Sequence, residues 1–159
     1  MVKKCFIFFG LILFASTSFA IDTATQQASR RIFMLETALA PANPEAVATL
    51  WADAAKNRNG AVQYMLMCPD LQKANLSHLE ALNWVTGVSS PWISGTKIIS
   101  GKTNKNNSDF TVQYEFSLSS GVAGSVVDHI QVIPVDHKAD SSQKFCISQF
   151  GYLSPVSKL

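Results

Sequence analysis

The sequence predicts an α+β domain in which helices come first and pack on a four-stranded antiparallel sheet. Apolar residues recur at helical spacing through residues 22–67. From Trp84 onward the composition shifts to β-branched and aromatic residues separated by Gly, Ser and Asn, which is typical of antiparallel strands. Backbone breakers lie between the two halves at Gly60, Pro69, Gly87 and Pro91.

The first twenty residues have the pattern of a secretory signal peptide. Lys3 and Lys4 precede an apolar run over residues 6–15, and small residues surround Ala20. We expect cleavage after Ala20, export to the periplasm or the exterior, and one domain over residues 21–159. An uncleaved N-terminal anchor is the alternative. The apolar run is shorter than the roughly 20 residues that a membrane span needs, and no later segment reaches that length.

The charge balance of the chain bears on the partners that can be expected for it. The full chain has 13 basic and 11 acidic residues. Loss of Lys3 and Lys4 would leave the two signs balanced, so electrostatics give no reason to expect nucleic acid or an anionic membrane as partner. No glycine-rich phosphate loop opens a helix, and we predict no cofactor.

Two cysteines remain after the predicted cleavage, Cys68 and Cys146. An even pair in an oxidising compartment favours a disulfide between them. Two separately buried thiols are the alternative, because spacing alone does not show that the side chains meet.

Three helices are predicted before Pro69. Asp22 and Thr23 can cap the first, whose apolar stripe contains Ala28, Ile32, Leu35 and Leu39. Asn43 and Pro44 start the second, which is expected to bury Val47, Leu50, Trp51 and Ala54 and to stop at a left-handed Asn59-Gly60. The third, over residues 61–67, is expected to present Ala61, Tyr64 and Met65 to the core. Residues 70–83 have a weaker pattern that predicts only a broken helical turn or two.

Four strands are predicted, over residues 92–101, 109–119, 125–135 and 144–153, with a turn over residues 119–124 and polar loops over residues 102–108 and 136–143. The second has the clearest alternation. One set of its side chains is apolar, namely Phe110, Val112, Tyr114, Phe116 and Leu118. The other set is polar, namely Thr111, Gln113, Glu115 and Ser117. The sheet should therefore have one buried face and one face in water.

The order of elements, together with KNRNGAVQY at 56–64 and NWVTGVSSPW at 83–92, resembles small bacterial extracytoplasmic domains of the nuclear-transport-factor-2-like group, within the cystatin-like fold. The resemblance covers about residues 44–153. It implies a curved sheet that wraps the helices into a cone with a pocket at its open end, and frequent dimerisation through the sheet. That pocket is catalytic in some members and a binding cavity or a closed core in others, so the resemblance does not decide function.

The strand over residues 125–135 carries the best catalytic candidates. In one register Val126, Asp128, Ile130 and Val132 point inward, and in the other Val127, His129, Gln131 and Ile133 do. The first register buries more apolar residues and favours Asp128. A carboxylate there would have a raised pKa and could act as a general acid or base. A strand end or bulge that leaves Asp128 in water is the alternative.

Metal binding is not predicted. His129 and His137 each follow a Val-Asp pair, but eight residues of extended chain separate them by about 26 Å, too far to share one ion. His78 stands alone.

Five aromatic residues are candidates for lining a pocket that takes an apolar or ring-bearing ligand, or for filling the core: Trp51, Tyr64, Trp84, Trp92 and Tyr114.

Two function classes follow. The favoured one is an exported, non-catalytic binding or interaction module for a small apolar ligand or a protein. The alternative is a small enzyme of the isomerase or dehydratase type that uses Asp128 or His129. A homodimer through the polar sheet face is also expected, because a neutral chain has little net-charge repulsion against self-association.

Overall fold

The structure, a computed structural model, describes residues 16–87, 89–135 and 143–152. Within them four helices precede one antiparallel sheet, which confirms the α+β class. The helices are α1 (Ser16–Leu39), α2 (Pro44–Lys56), α3 (Gly60–Leu66) and α4 (Pro69–Ala81). The strands are β1 (Trp92–Thr103), β2 (Ser108–Leu118), β3 (Gly121–Pro134) and β4 (Phe145–Tyr152).

Helix α1 belongs to a first compact unit that ends at Ala38, and a second unit begins at Leu39. Asp22 and Thr23 lie inside α1, so the predicted helix start at these residues is wrong. The predicted cleavage site after Ala20 lies within α1, and residues 1–15 lie outside the described residues. Four apolar residues of α1 each have half or more of their surface exposed, namely Ile32, Phe33, Met34 and Leu35.

Helix α2 starts where the sequence predicts. The side chain of Asn43 accepts a hydrogen bond from the Ala46 N–H at 2.9 Å, and Pro44 occupies the first turn, where its missing N–H costs nothing. Its buried face consists of Val47, Ala48, Trp51, Ala52 and Ala54, and Leu50 packs beside it partly buried. This face meets the sheet and forms the centre of the core.

The turn after α2 differs from the prediction. The left-handed residue is Arg58, with φ of 56°, and not Gly60. Asn59 instead caps α3, since its side chain accepts from the Val62 N–H at 3.1 Å. Gly60 is required by close packing, because a Cβ atom there would lie 2.8 Å from the Trp84 carbonyl oxygen.

Helices α3 and α4 also depart from the prediction. In α3, Met65 is buried as expected. Ala61, which was expected in the core, is exposed, and Leu66 is buried instead. Residues 69–81 form one continuous helix, α4, in place of a broken turn or two. The apolar pattern of the α4 sequence is weak because only one residue of this helix, Leu79, is buried.

The strands pair in chain order, β1-β2-β3-β4, each antiparallel to the next. Phe110, Val112 and Tyr114 are buried as predicted, whereas Leu118 at the strand end is 39% exposed. Strand β3 begins at Gly121, so the turn predicted over residues 119–124 is shorter than expected.

The predicted disulfide between Cys68 and Cys146 is present, with a Cα–Cα distance of 4.9 Å. The Cys68 N–H also donates to the Ile147 carbonyl oxygen at 2.9 Å. The bridge thus joins the start of α4 to β4, beside the helical layer of the core.

Candidate functional site

A pocket of about 460 Å³ lies between α2, α4 and the buried face of the sheet. Its wall is mostly apolar and rich in aromatic residues, because α2 and the sheet both direct their core side chains toward it. The apolar and aromatic lining includes Trp51, Leu79, Leu82, Trp92, Ile93, Tyr114, Phe116 and Phe150.

Three of the five aromatic candidates line this pocket, namely Trp51, Trp92 and Tyr114. Trp51 packs against Phe150 with ring centroids 4.8 Å apart. Tyr64 and Trp84 are not in the lining, and their rings instead pack edge to face at 5.4 Å.

The lining contains two further aromatic residues, Phe116 and Phe150, that could not be recognised from the sequence as pocket residues. Phe150 was missed because the pattern of β4 does not define a register. Phe116 was assigned to the inward face of β2, but alternation alone does not distinguish a pocket wall from a filled core.

Asp128 is the acidic residue of the pocket lining. Its side chain is 3% exposed, and Ile130 and Val132 on the same strand face are 1% exposed. The inward register of Asp128 is therefore the observed one, and the alternative that leaves this residue in water is wrong. The pairing of β3 with β2 is irregular beside Gly124, and its pairing with β4 is irregular beside Val132. Neither irregularity interrupts the pairing of Asp128 with Val112.

Burial raises the pKa of the Asp128 carboxyl to about 6, because the charged form loses contact with water. Hydrogen bonds from the backbone N–H groups of Gly151 and His129, together with the His129 side chain, oppose this shift. The Gly151 N–H donates to Oδ1 at 2.9 Å. Asp128 therefore gains and loses its proton near neutral pH, where a general acid or base is most effective.

His129 points to the opposite face of the sheet. It is exposed, and its Nδ1 lies 3.2 Å from Thr111 Oγ1 on β2. Neighbouring residues of a strand face opposite sides, so burial of Asp128 excludes His129 from the pocket. The expectation that either residue could serve there is corrected in favour of Asp128.

The other two histidines differ in whether the structure describes them. His78 lies at the pocket edge on α4, exposed, and His137 lies outside the described residues. Throughout the part of the chain that the structure describes, no group of three His, Cys, Asp or Glu side chains could hold an ion.

A basic edge, defined here as Lys56 and Arg58, forms part of the pocket lining. Arg58 Nε donates to the Thr86 carbonyl oxygen at 3.1 Å, and Nη2 donates to that of Gly87 at 3.4 Å. This arrangement is not predictable from the sequence, because both residues are equally consistent with the basic last turn of an amphipathic helix.

The outward face of β2 is polar, as predicted, with Thr111, Gln113, Glu115 and Ser117 along it. Cross-strand hydrogen bonds cover it: Ser117 Oγ donates to Ser94 Oγ at 2.9 Å, and Gln131 Nε2 donates to Asp109 Oδ1 at 3.1 Å. These bonds are compatible with a face in contact with water.

No protein-family model, curated protein or solved structure matches this chain. Among the described residues, no helix has both the length and the apolar character that crossing a bilayer requires.

Proposed function

We propose that this protein is an exported, non-catalytic binding module whose pocket takes a small, apolar, ring-bearing ligand. The observation that carries the proposal is the pocket itself, about 460 Å³ in volume with Trp51, Tyr114 and Phe150 in its wall. Its volume falls within the roughly 300–1,000 Å³ of typical small-molecule sites. Aromatic side chains pack well against flat rings, which supports a ring-bearing ligand.

The neutral dye N-phenylnaphthylamine tests this function, because its fluorescence rises when its rings leave water. We expect saturable binding with one dye per chain. Ala55→Phe should weaken binding about tenfold or more by filling the pocket, since Ala55 is in its lining. Ala61→Phe makes the same change on an exposed helical position outside the lining and should have little effect. Binding that survives Ala55→Phe in a folded protein, or no saturable binding at all, would contradict the proposal.

Export is part of the proposal and is supported by the three-part pattern of residues 1–20. The resemblance to extracytoplasmic nuclear-transport-factor-2-like domains also stays a proposal. Intact-mass measurement on protein from the extracytoplasmic fraction of the native host should find a chain that begins at Ile21, and a chain beginning at Met1 would rule out cleavage.

A second candidate function is acid-base catalysis on the bound ligand, and the buried carboxyl of Asp128 favours it. Native mass spectrometry of protein from its own host would identify a retained ligand. That ligand would then be incubated with the protein in D₂O and followed by NMR. Exchange of the ligand's carbon-bound protons for deuterium in the presence of wild-type protein, but not of the Asp128→Asn variant, would support catalysis. An unchanged ligand spectrum would support simple binding.

We also propose a homodimer joined through the polar sheet face. Thr111 and Gln113 lie on this face of β2, so replacing both by Arg should add repulsion across a two-fold contact and yield a monomer. Light scattering coupled to size exclusion at micromolar concentration measures this. A wild-type protein that is already monomeric, or a double variant that remains dimeric, would show that the sheet is not the interface.

A further inference from the structure

Charge is unevenly distributed over the pocket wall. Its one carboxylate among the described residues, Asp128, is buried under the sheet. The basic edge is more accessible, since Lys56 is exposed and Arg58 is partly buried. The two cations of the pocket wall are therefore more accessible to a ligand than its carboxylate is.

The guanidinium of Arg58 is held in place but retains free hydrogen-bonding capacity. Two of its five N–H groups are directed at the carbonyl oxygens of Thr86 and Gly87. Carbonyl oxygens orient the group without neutralising its charge. In the described part of the chain no carboxylate forms an ion pair with Arg58, so its charge is available to a ligand.

The backbone around Arg58 adopts unfavourable conformations. Arg58, Asn83 and Trp84 all have positive φ, at 56°, 49° and 62°. Backbone hydrogen bonds join the two strained segments, from the Gly60 N–H to the Trp84 oxygen at 2.8 Å and from the Thr86 N–H to the Arg58 oxygen at 3.2 Å. Such strain in residues other than glycine is concentrated at functional sites. An arginine that occupies a left-handed position at a pocket edge therefore points to a role for its side chain.

We propose that the ligand is an amphipathic organic anion, whose acid group meets Arg58 and whose ring-bearing body packs against Trp51 and Phe150. This inference rests on the proposed binding function and adds an acid group to the apolar, ring-bearing body proposed for the ligand of the same pocket. A guanidinium is suited to carboxylate and sulfonate groups because its N–H groups can donate two parallel hydrogen bonds. Lys56, which is exposed, adds a second positive charge to the pocket lining.

The test compares two dyes that share one ring system. Anilinonaphthalenesulfonate carries a negative charge, and N-phenylnaphthylamine carries none. We expect the anionic dye to bind at least about tenfold more tightly to the wild-type protein. Added salt should weaken only the anionic dye, because it screens charge but not apolar contact.

The variant Arg58→Asn removes the charge, and asparagine tolerates a left-handed backbone better than most residues do. It should weaken the anionic dye about tenfold or more and leave the affinity for the neutral dye within about twofold. Lys97→Gln is the matched control, because it removes an exposed positive charge outside the pocket lining and should change neither affinity. If Arg58→Asn does not fold, Lys56→Gln and the salt titration on wild-type protein make the same comparison.

The possible outcomes separate the two proposals. Pocket-dependent binding of the neutral dye with no preference for the anionic dye would overturn the anion inference and leave the binding function standing. An equal loss of both dyes in a folded Arg58→Asn variant would also overturn the inference. Failure of both dyes to bind wild-type protein would overturn both proposals.

Discussion

Replacing Cys68 and Cys146 together by alanine is expected to lower the free energy of unfolding by about 2–5 kcal/mol. The disulfide joins residues 78 positions apart. For a loop of this length the chain-entropy model gives about 4.5 kcal/mol, and measured values are often smaller. Both cysteines are buried, so the variant also loses apolar contacts beside the core. Urea unfolding followed by circular dichroism measures the change.

Reduction provides a control for the disulfide prediction. Dithiothreitol should lower the urea midpoint of the wild-type protein toward that of the double variant, and it should not change the variant. In the oxidised native protein, an alkylating reagent should label neither cysteine. A double variant with the same urea midpoint as the oxidised wild type would contradict the prediction.

Replacing Asp128 by asparagine is expected to stabilise the protein at pH 8 by up to about 3 kcal/mol, corresponding to the rise of the pKa from 3.8 to about 6. The wild-type protein must bury a charged carboxylate at this pH, whereas the variant buries a neutral amide of similar shape. The amide oxygen can still accept the hydrogen bond that the Gly151 N–H donates to Asp128 Oδ1. Unfolding free energies of both proteins at several pH values measure the difference.

The direction of the pH dependence follows from the raised pKa. Below about pH 4 the carboxyl is protonated in the folded and the unfolded chain, so wild type and variant should have similar stability. Between about pH 4 and pH 6 the unfolded chain releases a proton that the folded chain retains, and wild-type stability should fall relative to the variant. Above about pH 6 both states are ionised and the difference should be constant.

Asp109→Asn is the matched control, because Asp109 is an exposed aspartate on the neighbouring strand β2. Its replacement should change stability little at pH 4 and pH 8. If Asp128→Asn and Asp109→Asn have the same effect at every pH, Asp128 does not titrate in a buried environment. A folded Asp128→Asn variant that is less stable than wild type at pH 8 would also contradict the prediction.

Local patterns in the sequence were sufficient for the α+β class and for most strand boundaries. Alternation along β2 identified its buried face because a strand places successive side chains on opposite sides. The Asn43-Pro44 start of α2 was also predictable, since a cap depends on neighbouring residues. The disulfide between Cys68 and Cys146 was predictable from an even number of cysteines and the expectation of an oxidising compartment.

Tertiary contacts decided the features that matter most for the site. The sequence predicts a helix stop at Asn59-Gly60, whereas in the structure Asn59 caps α3 and the left-handed residue is Arg58. The Gly60 N–H donates to the Trp84 carbonyl oxygen, a contact between segments that local sequence does not predict. Helix α4 buries little apolar surface, so its pattern was too weak to predict it. Alternation along the third strand allows two registers, and the count of apolar residues favours the one that points Asp128 inward. Only pairing with the buried Val112 showed that Asp128, and not His129, lines the pocket. The pocket lies between helices and strands that are distant in the sequence. The spacing of apolar residues within one helix or strand does not predict how much space remains between it and its neighbours.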